Sequence, residues 1–259
     1  MKHAHLRRME YLKLNMTDDQ FIDRLKKSIE HDHPFSFSRF GDGEIFFIND
    51  NVPQKVIDRY LRSIYGYDDI DKAKSDVLSV INKALAESDV IGIMNKDNPI
   101  SRKISYSEKA WSIRSDYVSR MRGEKELLVA DHMITRSRDL GDVHNFRNII
   151  QGRGVCIISP HVDLHKQRDV QGLLGVDMSF VKTPMGISMK DRDELFLIFD
   201  KIQEPIVLYG CTLMGKDFSV HLKDRGKIAL DFGATLDAWA GLMTKRWFFP
   251  GKSQNHCVI

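Results

Sequence analysis

Cysteine is scarce in this sequence: Cys156, Cys211 and Cys257 are the only three in a chain of 259 residues. They are too few and too scattered for a disulfide framework, and an odd count fits a reducing compartment. Long hydrophobic runs are also missing. No segment approaches the roughly 20 apolar residues that cross a bilayer, and the start shows no signal-peptide core. The C-terminal HCVI is not a prenylation signal, because Cys257 stands third from the end rather than fourth. A cytoplasmic protein is expected, with at most peripheral contact at the inner face of a membrane. There is no repeat, low-complexity tract or Pro/Gly-rich linker. One domain over residues 1–259 is therefore expected, with a short basic arm over about 1–16 (MKHAHLRRMEYLKLNM). A strong excess of one charge is absent too. Lys and Arg number 39 against 36 Asp and Glu, a net of +3. With the basic residues spread among acids, this is no nucleic-acid footprint, and an anionic small molecule is the simpler partner. Oligomeric state is left open, a homo-oligomer included.

What is present is a globular composition, 42% hydrophobic and 29% charged, in a chain long enough to bury a core without staples. Thr17 and Gln20 have the spacing of a capping box, which predicts a helix through about Glu30 with Phe21, Ile22, Leu25 and Ile29 on one face. Further helices are expected over 53–65, 70–87, 100–121, 139–150, 189–202, 215–223 and 234–243. Between them lie short runs rich in β-formers, at 35–37, 89–94, 126–131, 154–160, 177–183, 205–210 and 227–233. Most are apolar on both faces. Strands covered on both sides read this way, so the fold class is α/β: Rossmann-like, with a mainly parallel sheet and helices on both faces. In such folds ligands bind beyond the carboxyl ends of the strands. The residues just after each apolar run are therefore the informative ones.

After PIVLYG comes CTLMGK. Thr212, Gly215 and Lys216 there suit a phosphate at a helix N-terminus, or simply form a strand-to-helix turn. After KIALDFG, Asp231 stands where it could bind a ribose or sugar hydroxyl, or cap the next helix. After GVCIISP, the HVDLH segment offers His161, Asp163 and His165, a spacing able to hold a transition metal or to hydrogen-bond a substrate. Arg136 and Arg138 follow ELLVAD and suit contacts to phosphate or carboxylate.

SRFGDGE, residues 38–44, is the densest of these stretches. Asp42 and Glu44 flank a glycine, so two hard carboxylates converge on one point, and Gly41 and Gly43 permit unusual backbone angles. Such a pair suits Mg²⁺ or Mn²⁺, which completes its shell with waters and substrate phosphate oxygens. Arg39 could touch the same phosphates. An acidic turn without a ligand is the alternative.

These residues resemble the GT-D-type glycosyltransferases, bacterial enzymes of cell-surface and protein glycan assembly. The string RFGDGE, Arg39 to Glu44, is similar to the family signature, whose D-x-E pair replaces the D-x-D of other nucleotide-sugar transferases. Ile134 to Arg136 resembles a central "sRPY"-like segment, with Ser137 and Arg138 in place of Pro-Tyr. LYGCTLMGKDFSVHL is similar to "GPTA-x-x-LA-x-DL". GKIALDFGATLDA resembles "G-x-x-A-I-D-I-G-H", with Ala234 where His is usual. The likeness runs from about residue 30 to 245, and no role is carried over for the missing His and Pro-Tyr.

The resemblance implies transfer of a sugar from a nucleoside diphosphate, a UDP-sugar first, to a hydroxyl of a glycan, lipid-linked or protein acceptor. It implies Mn²⁺ or Mg²⁺ at Asp42 and Glu44. Donor contacts would come from Arg39, Gly41, Gly43, Arg136, Thr212, Gly215 and Lys216. Asp163, Asp231 and His161 are candidates for a general base. Two other readings stand beside it: a metal-dependent hydrolase or phosphoesterase built on His161, Asp163 and His165, and a nucleotide-sugar binding subunit without activity of its own.

Overall fold

A computed structural model of the chain describes residues 16–40, 43–48, 54–65, 69–93, 116–118, 120–122, 127–128, 146–161, 163–184, 186–211, 213–233 and 236. The capping box forms as expected at the start of α1 (Asp18–Glu30). The Thr17 hydroxyl accepts from Gln20 N at 3.2 Å, and the Gln20 side chain accepts from Thr17 N at 2.7 Å. Strand β1 (Phe35–Phe40) follows, then the short α2 (Ile45–Ile48), α3 (Gln54–Tyr65), α4 (Ile70–Glu87), β2 (Val90–Ile93) and β3 (Leu127–Leu128). The second half runs β4 (Val155–Ser159), α5 (Leu164–Leu174), β5 (Met178–Lys182), α6 (Met189–Phe199), β6 (Ile206–Tyr209), a 3-10 turn (Leu213–Gly215), α7 (Phe218–Asp224) and β7 (Ile228–Asp231).

The strands make one sheet in the order β3-β2-β1-β7-β6-β4-β5, and every pairing is parallel. Alternate residues of β1, β4, β6 and β7 feed two separate cores. Phe35, Phe37, Val155, Ile157, Ile206, Leu208, Ile228 and Leu230 pack with Phe21 and Leu25 of α1 and Val170 and Leu174 of α5. Phe40, Cys156, Ile158, Val207, Tyr209 and Ala229 pack with α4, α6 and α7 on the other face. The expected α/β sheet covered on both faces is the observed fold. Each large aliphatic side chain buried this way is worth about 1.5–3 kcal/mol.

Some local expectations change. Strand β1 extends to Phe40, so Ser38 and Arg39 belong to the strand and not to the loop after it. The reason is pairing on both sides: Arg39 stands opposite Gly92 of β2, and its N–H donates to Asp231 Oδ2. Helix α5 was not expected at all; its sequence, LHKQRDVQGLL, carries few apolar residues and a glycine. Gly215 and Lys216 do not open the helix after β6; they occupy a 3-10 turn and a link, and α7 begins at Phe218. Strand β5 is only half buried, as an edge strand is. Most of the segments expected as helices over 100–121 and 234–243 lie outside the described residues.

One topological feature positions the site. After β1 the chain passes to the face holding α4, whereas Leu236 beyond β7 packs in the opposite core. Adjacent strands thus exit to opposite faces. A crevice opens at such a divergence, above the carboxyl ends.

Candidate active site

Four charged side chains meet above β1 and β7. The Lys216 ammonium lies 2.8 Å from Glu44 Oε1 and 2.9 Å from Asp231 Oδ2. Arg39 donates from its backbone to Asp231 Oδ2 at 3.2 Å and from Nη1 to the Phe232 carbonyl at 3.3 Å. Both carboxylates are closed off: Asp231 is 1% exposed and Glu44 2%. Burial pulls the Lys216 pKa down, but the Asp231 and Glu44 carboxylates outweigh it, with Arg39 opposing them, and the result is a rise. The lysine is therefore a fixed cation.

Its backbone is fixed as well. The Ser38 hydroxyl and the Tyr209 phenol donate to the Lys216 carbonyl at 3.0 and 3.3 Å. Ser38 has one proton to give, so the hydroxyls of Ser88 and Ser219, at 2.8 and 2.6 Å, donate to it. The next residue, Asp217, is clamped by the buried Arg192 at 2.5 Å. Two glycines let the strand ends close up. A Cβ on Gly210 would meet the Gly233 carbonyl oxygen at 2.7 Å. Gly233 has φ +48°, and a Cβ there would collide with Arg39 Nη1.

The structure thus brings together Arg39, Glu44, Lys216 and Asp231 from stretches that the sequence treated separately. Gly43 sits in the turn before Glu44. Gly215 is buried, and a Cβ there would meet the Cys211 Cβ at 2.5 Å, so its missing side chain serves packing. Asp42, Gly41, Arg136 and Thr212 lie outside the described residues. At the end of β4, the His161 N–H donates to Ser159 Oγ at 3.1 Å and Asp163 precedes α5 with its side chain exposed. His165 falls in the first turn of α5. Among the described residues no three His, Cys, Asp or Glu side chains gather around a metal-sized space. Residues that the sequence did not single out are Ser38, Tyr209 and Arg192, whose polar atoms hold Lys216 and Asp217 in place.

Does Glu44 as placed fit a divalent ion? Its Oε1 is engaged by an ammonium and the residue is almost sealed. A dication ~4 Å from that ammonium would be repelled by roughly 8 kcal/mol at an effective dielectric constant near 20. As arranged, the described residues do not fit the ion.

A parallel sheet covered by helices on both faces, with a charged cluster above its carboxyl edge, defines an α/β domain of the doubly wound class. Comparison with protein families matches residues 16–239 to the GT-D fold-like domain, and the chain belongs to this GT-D-like family. A solved structure of domain of unknown function 1792, described as having a distinct glycosyltransferase fold, superposes with a TM-score of 0.60. It is 16% identical, over 92% of this chain and 84% of that one. A glycosyltransferase (DUF1792) from Streptococcus sanguinis superposes with a TM-score of 0.55 at 15% identity, over 84% and 81% of the two chains. At such identities the likeness establishes the fold, a glycosyltransferase fold. Comparison with curated proteins gives no match. Among the described residues no helix is long and apolar enough to cross a membrane.

Proposed function

We propose that the protein is a glycosyltransferase that moves a sugar from a nucleoside-diphosphate donor, a UDP-sugar first, to an acceptor hydroxyl in the assembly of a bacterial surface glycan or glycoconjugate. The observation that carries this reading is the meeting of Arg39, Glu44, Lys216 and Asp231 at the carboxyl edge of the sheet, in a chain of the GT-D-like family.

In the proposed reaction the acceptor oxygen bonds to the anomeric carbon as the bond to the diphosphate oxygen breaks. The leaving diphosphate takes the electron pair, and the acceptor proton passes to a base. Negative charge grows on the diphosphate, and fixed positive groups lower the barrier where it grows. Lys216 and Arg39 are such groups. The Asp231 carboxylate already receives Lys216 and the Arg39 amide through Oδ2, which suits it to holding the lysine. Its Oδ1 is buried without a hydrogen-bond partner among the described residues. Asp163, exposed at the end of β4, and His161 are the remaining candidates for the base. Mn²⁺ or Mg²⁺ at Asp42 and Glu44 belongs to the expectation from sequence, and Glu44 enters such a role only when Lys216 releases it.

The test is release of nucleoside diphosphate from a panel of UDP-, GDP- and dTDP-sugars, each with Mn²⁺ and with chelator. Slow release from one donor class is expected even without an acceptor, and acceleration on adding a glycan extract. Donor binding without release under any condition would instead favour the binding-subunit reading. Neither binding nor release with any donor would sink the proposal.

A further inference from the structure

We infer that Lys216 is the resident cation of this site. It takes the position and the charge-neutralising role that a divalent ion would otherwise fill, so that the nucleoside diphosphate is bound without a metal. The inference rests on the donor reading above and names how that donor is held.

Three observations carry it. First, the ammonium already occupies the point where two buried carboxylates converge, 2.8 Å from Glu44 and 2.9 Å from Asp231. Second, among the described residues the one ammonium serves both carboxylates, and Asp231 also accepts from the Arg39 amide. A buried carboxylate pair with no counter-charge would be costly, so this lysine answers a need that a metal meets elsewhere. Third, the lysine is built in and not draped across the site. Its carbonyl is held by Ser38 and Tyr209, and the adjoining Asp217 by Arg192.

The ammonium has a further capacity. It carries three N–H donors. Two are spent on Glu44 and Asp231, and the side chain keeps 12% of its surface exposed. The third donor has no acceptor among the described residues and is the one available to a diphosphate oxygen entering the crevice. A metal would offer several open positions there; the lysine offers one fixed hydrogen bond and a full charge.

Two titrations test this. The first uses Mn²⁺ alone, followed by electron paramagnetic resonance, on wild type, K216M and the double variant E44Q/K216M. Removing the ammonium vacates a two-carboxylate site. K216M should therefore bind Mn²⁺ at least about tenfold more tightly than wild type once the like-charge repulsion is gone, and E44Q/K216M should lose that gain. Wild type binding Mn²⁺ as tightly as K216M overturns the inference. The second follows UDP binding to wild type by calorimetry, in Mn²⁺ and in chelator. Affinities agreeing within about twofold support the inference. UDP binding that requires Mn²⁺ overturns it while leaving the donor reading intact. Failure of UDP to bind in either buffer overturns the donor reading, and the inference with it. K216M leaves two carboxylates uncompensated and is at risk of unfolding. E44Q/K216M removes one charge of each sign, and it should bind UDP in chelator more weakly than E44Q alone; equal affinity of those two variants also overturns the inference.

Discussion

Gly233 and Gly226 both adopt positive φ, +48° and +79°, yet their surroundings differ. Nothing lies within 4 Å of where a Cβ on Gly226 would stand, whereas one on Gly233 would collide with the Arg39 guanidinium. Gly226→Ala should therefore cost only the left-handed backbone penalty, ~1–2 kcal/mol. Gly233→Ala should cost that and also push Arg39 from the Phe232 carbonyl. Thermal melting and UDP binding on both variants separate the two effects. A larger stability loss is expected for Gly233→Ala, with a fall in UDP affinity for that variant alone; an equal fall in both would remove Arg39 from the site. This juxtaposition was only half legible beforehand. Glu44, Lys216 and Asp231 each drew attention in the sequence through neighbouring glycines and their place after apolar runs. That they share one ion-pair centre was not legible, because 172 positions separate Glu44 from Lys216 and nothing local encodes the encounter.

At the scale of elements, helix α4 depends on a distant side chain for its end. Arg122 is 4% exposed and donates to the carbonyls of Leu85, Ser88 and Asp89 at 2.9, 2.6 and 3.1 Å. Leu85 lies in the last turn of α4, whose final carbonyls have no partner within the helix, and Ser88 and Asp89 follow directly after it. Arg122→Met keeps the apolar stem and strands all three, with an expected loss of ~2–4 kcal/mol in denaturant unfolding. Arg122→Lys should recover less than half, since one ammonium cannot reproduce the fork. A loss for Arg122→Met within about 0.5 kcal/mol, the ordinary surface range, would mean that water replaces the guanidinium there. A second element contact gives a pH dependence. His221 on α7 stacks on Phe196 of α6 at 4.0 Å, and its Nε2 lies 2.9 Å from Asp200 Oδ1. Burial lowers its pKa below 6.5 and outweighs the upward pull of Asp200. The folded state therefore resists protonation. Stability is full above 6.5 and falls as pH drops from there towards the lower folded value, where the unfolded chain takes up the proton first. Unfolding of wild type and His221→Leu at pH 7.5 and 5.5 should show a smaller drop in the variant; identical drops would assign the dependence to other groups.

The same contrast explains which elements were readable. Strands β4, β6 and β7 announce themselves because both faces are buried, so nearly every residue is apolar. Strand β1 does so less plainly, because its polar residues find partners in other segments: Ser36 with Asp89, Ser38 with Ser88 and Ser219, Arg39 with Asp231. Helix α5 hides for a related reason. It covers the sheet with few apolar contacts, Val170 and Leu174 chief among them, and over 167–174 only these two are buried.

For the molecule as a whole, the sheet order sets where stability is concentrated. Strands β1, β7, β6 and β4 are paired on both sides, and helices cover both of their faces. Their amides are released only when the two cores separate, because alternate residues of each strand belong to different cores. Strand β5 is paired on one side only, to β4, and its residues are half exposed. It can detach from β4 without opening either core. Native-state hydrogen exchange should therefore divide the sheet. Amides of 155–158, 206–209 and 228–231 should exchange at the free energy of global unfolding, and those of 178–182 earlier, through a local opening. Adding UDP sharpens the expectation. A ligand seated above β1 and β7 stabilises only states in which those strands are intact. At 100 times its dissociation constant it slows global exchange by a factor equivalent to ~2.7 kcal/mol. The local opening of β5 leaves the site whole and should be insensitive to it. Slowing confined to the central strands thus locates the ligand as well as ranking the strands. Equal slowing in β5 would mean that the edge and the site unfold together, and that the sheet is a single cooperative unit from one edge to the crevice.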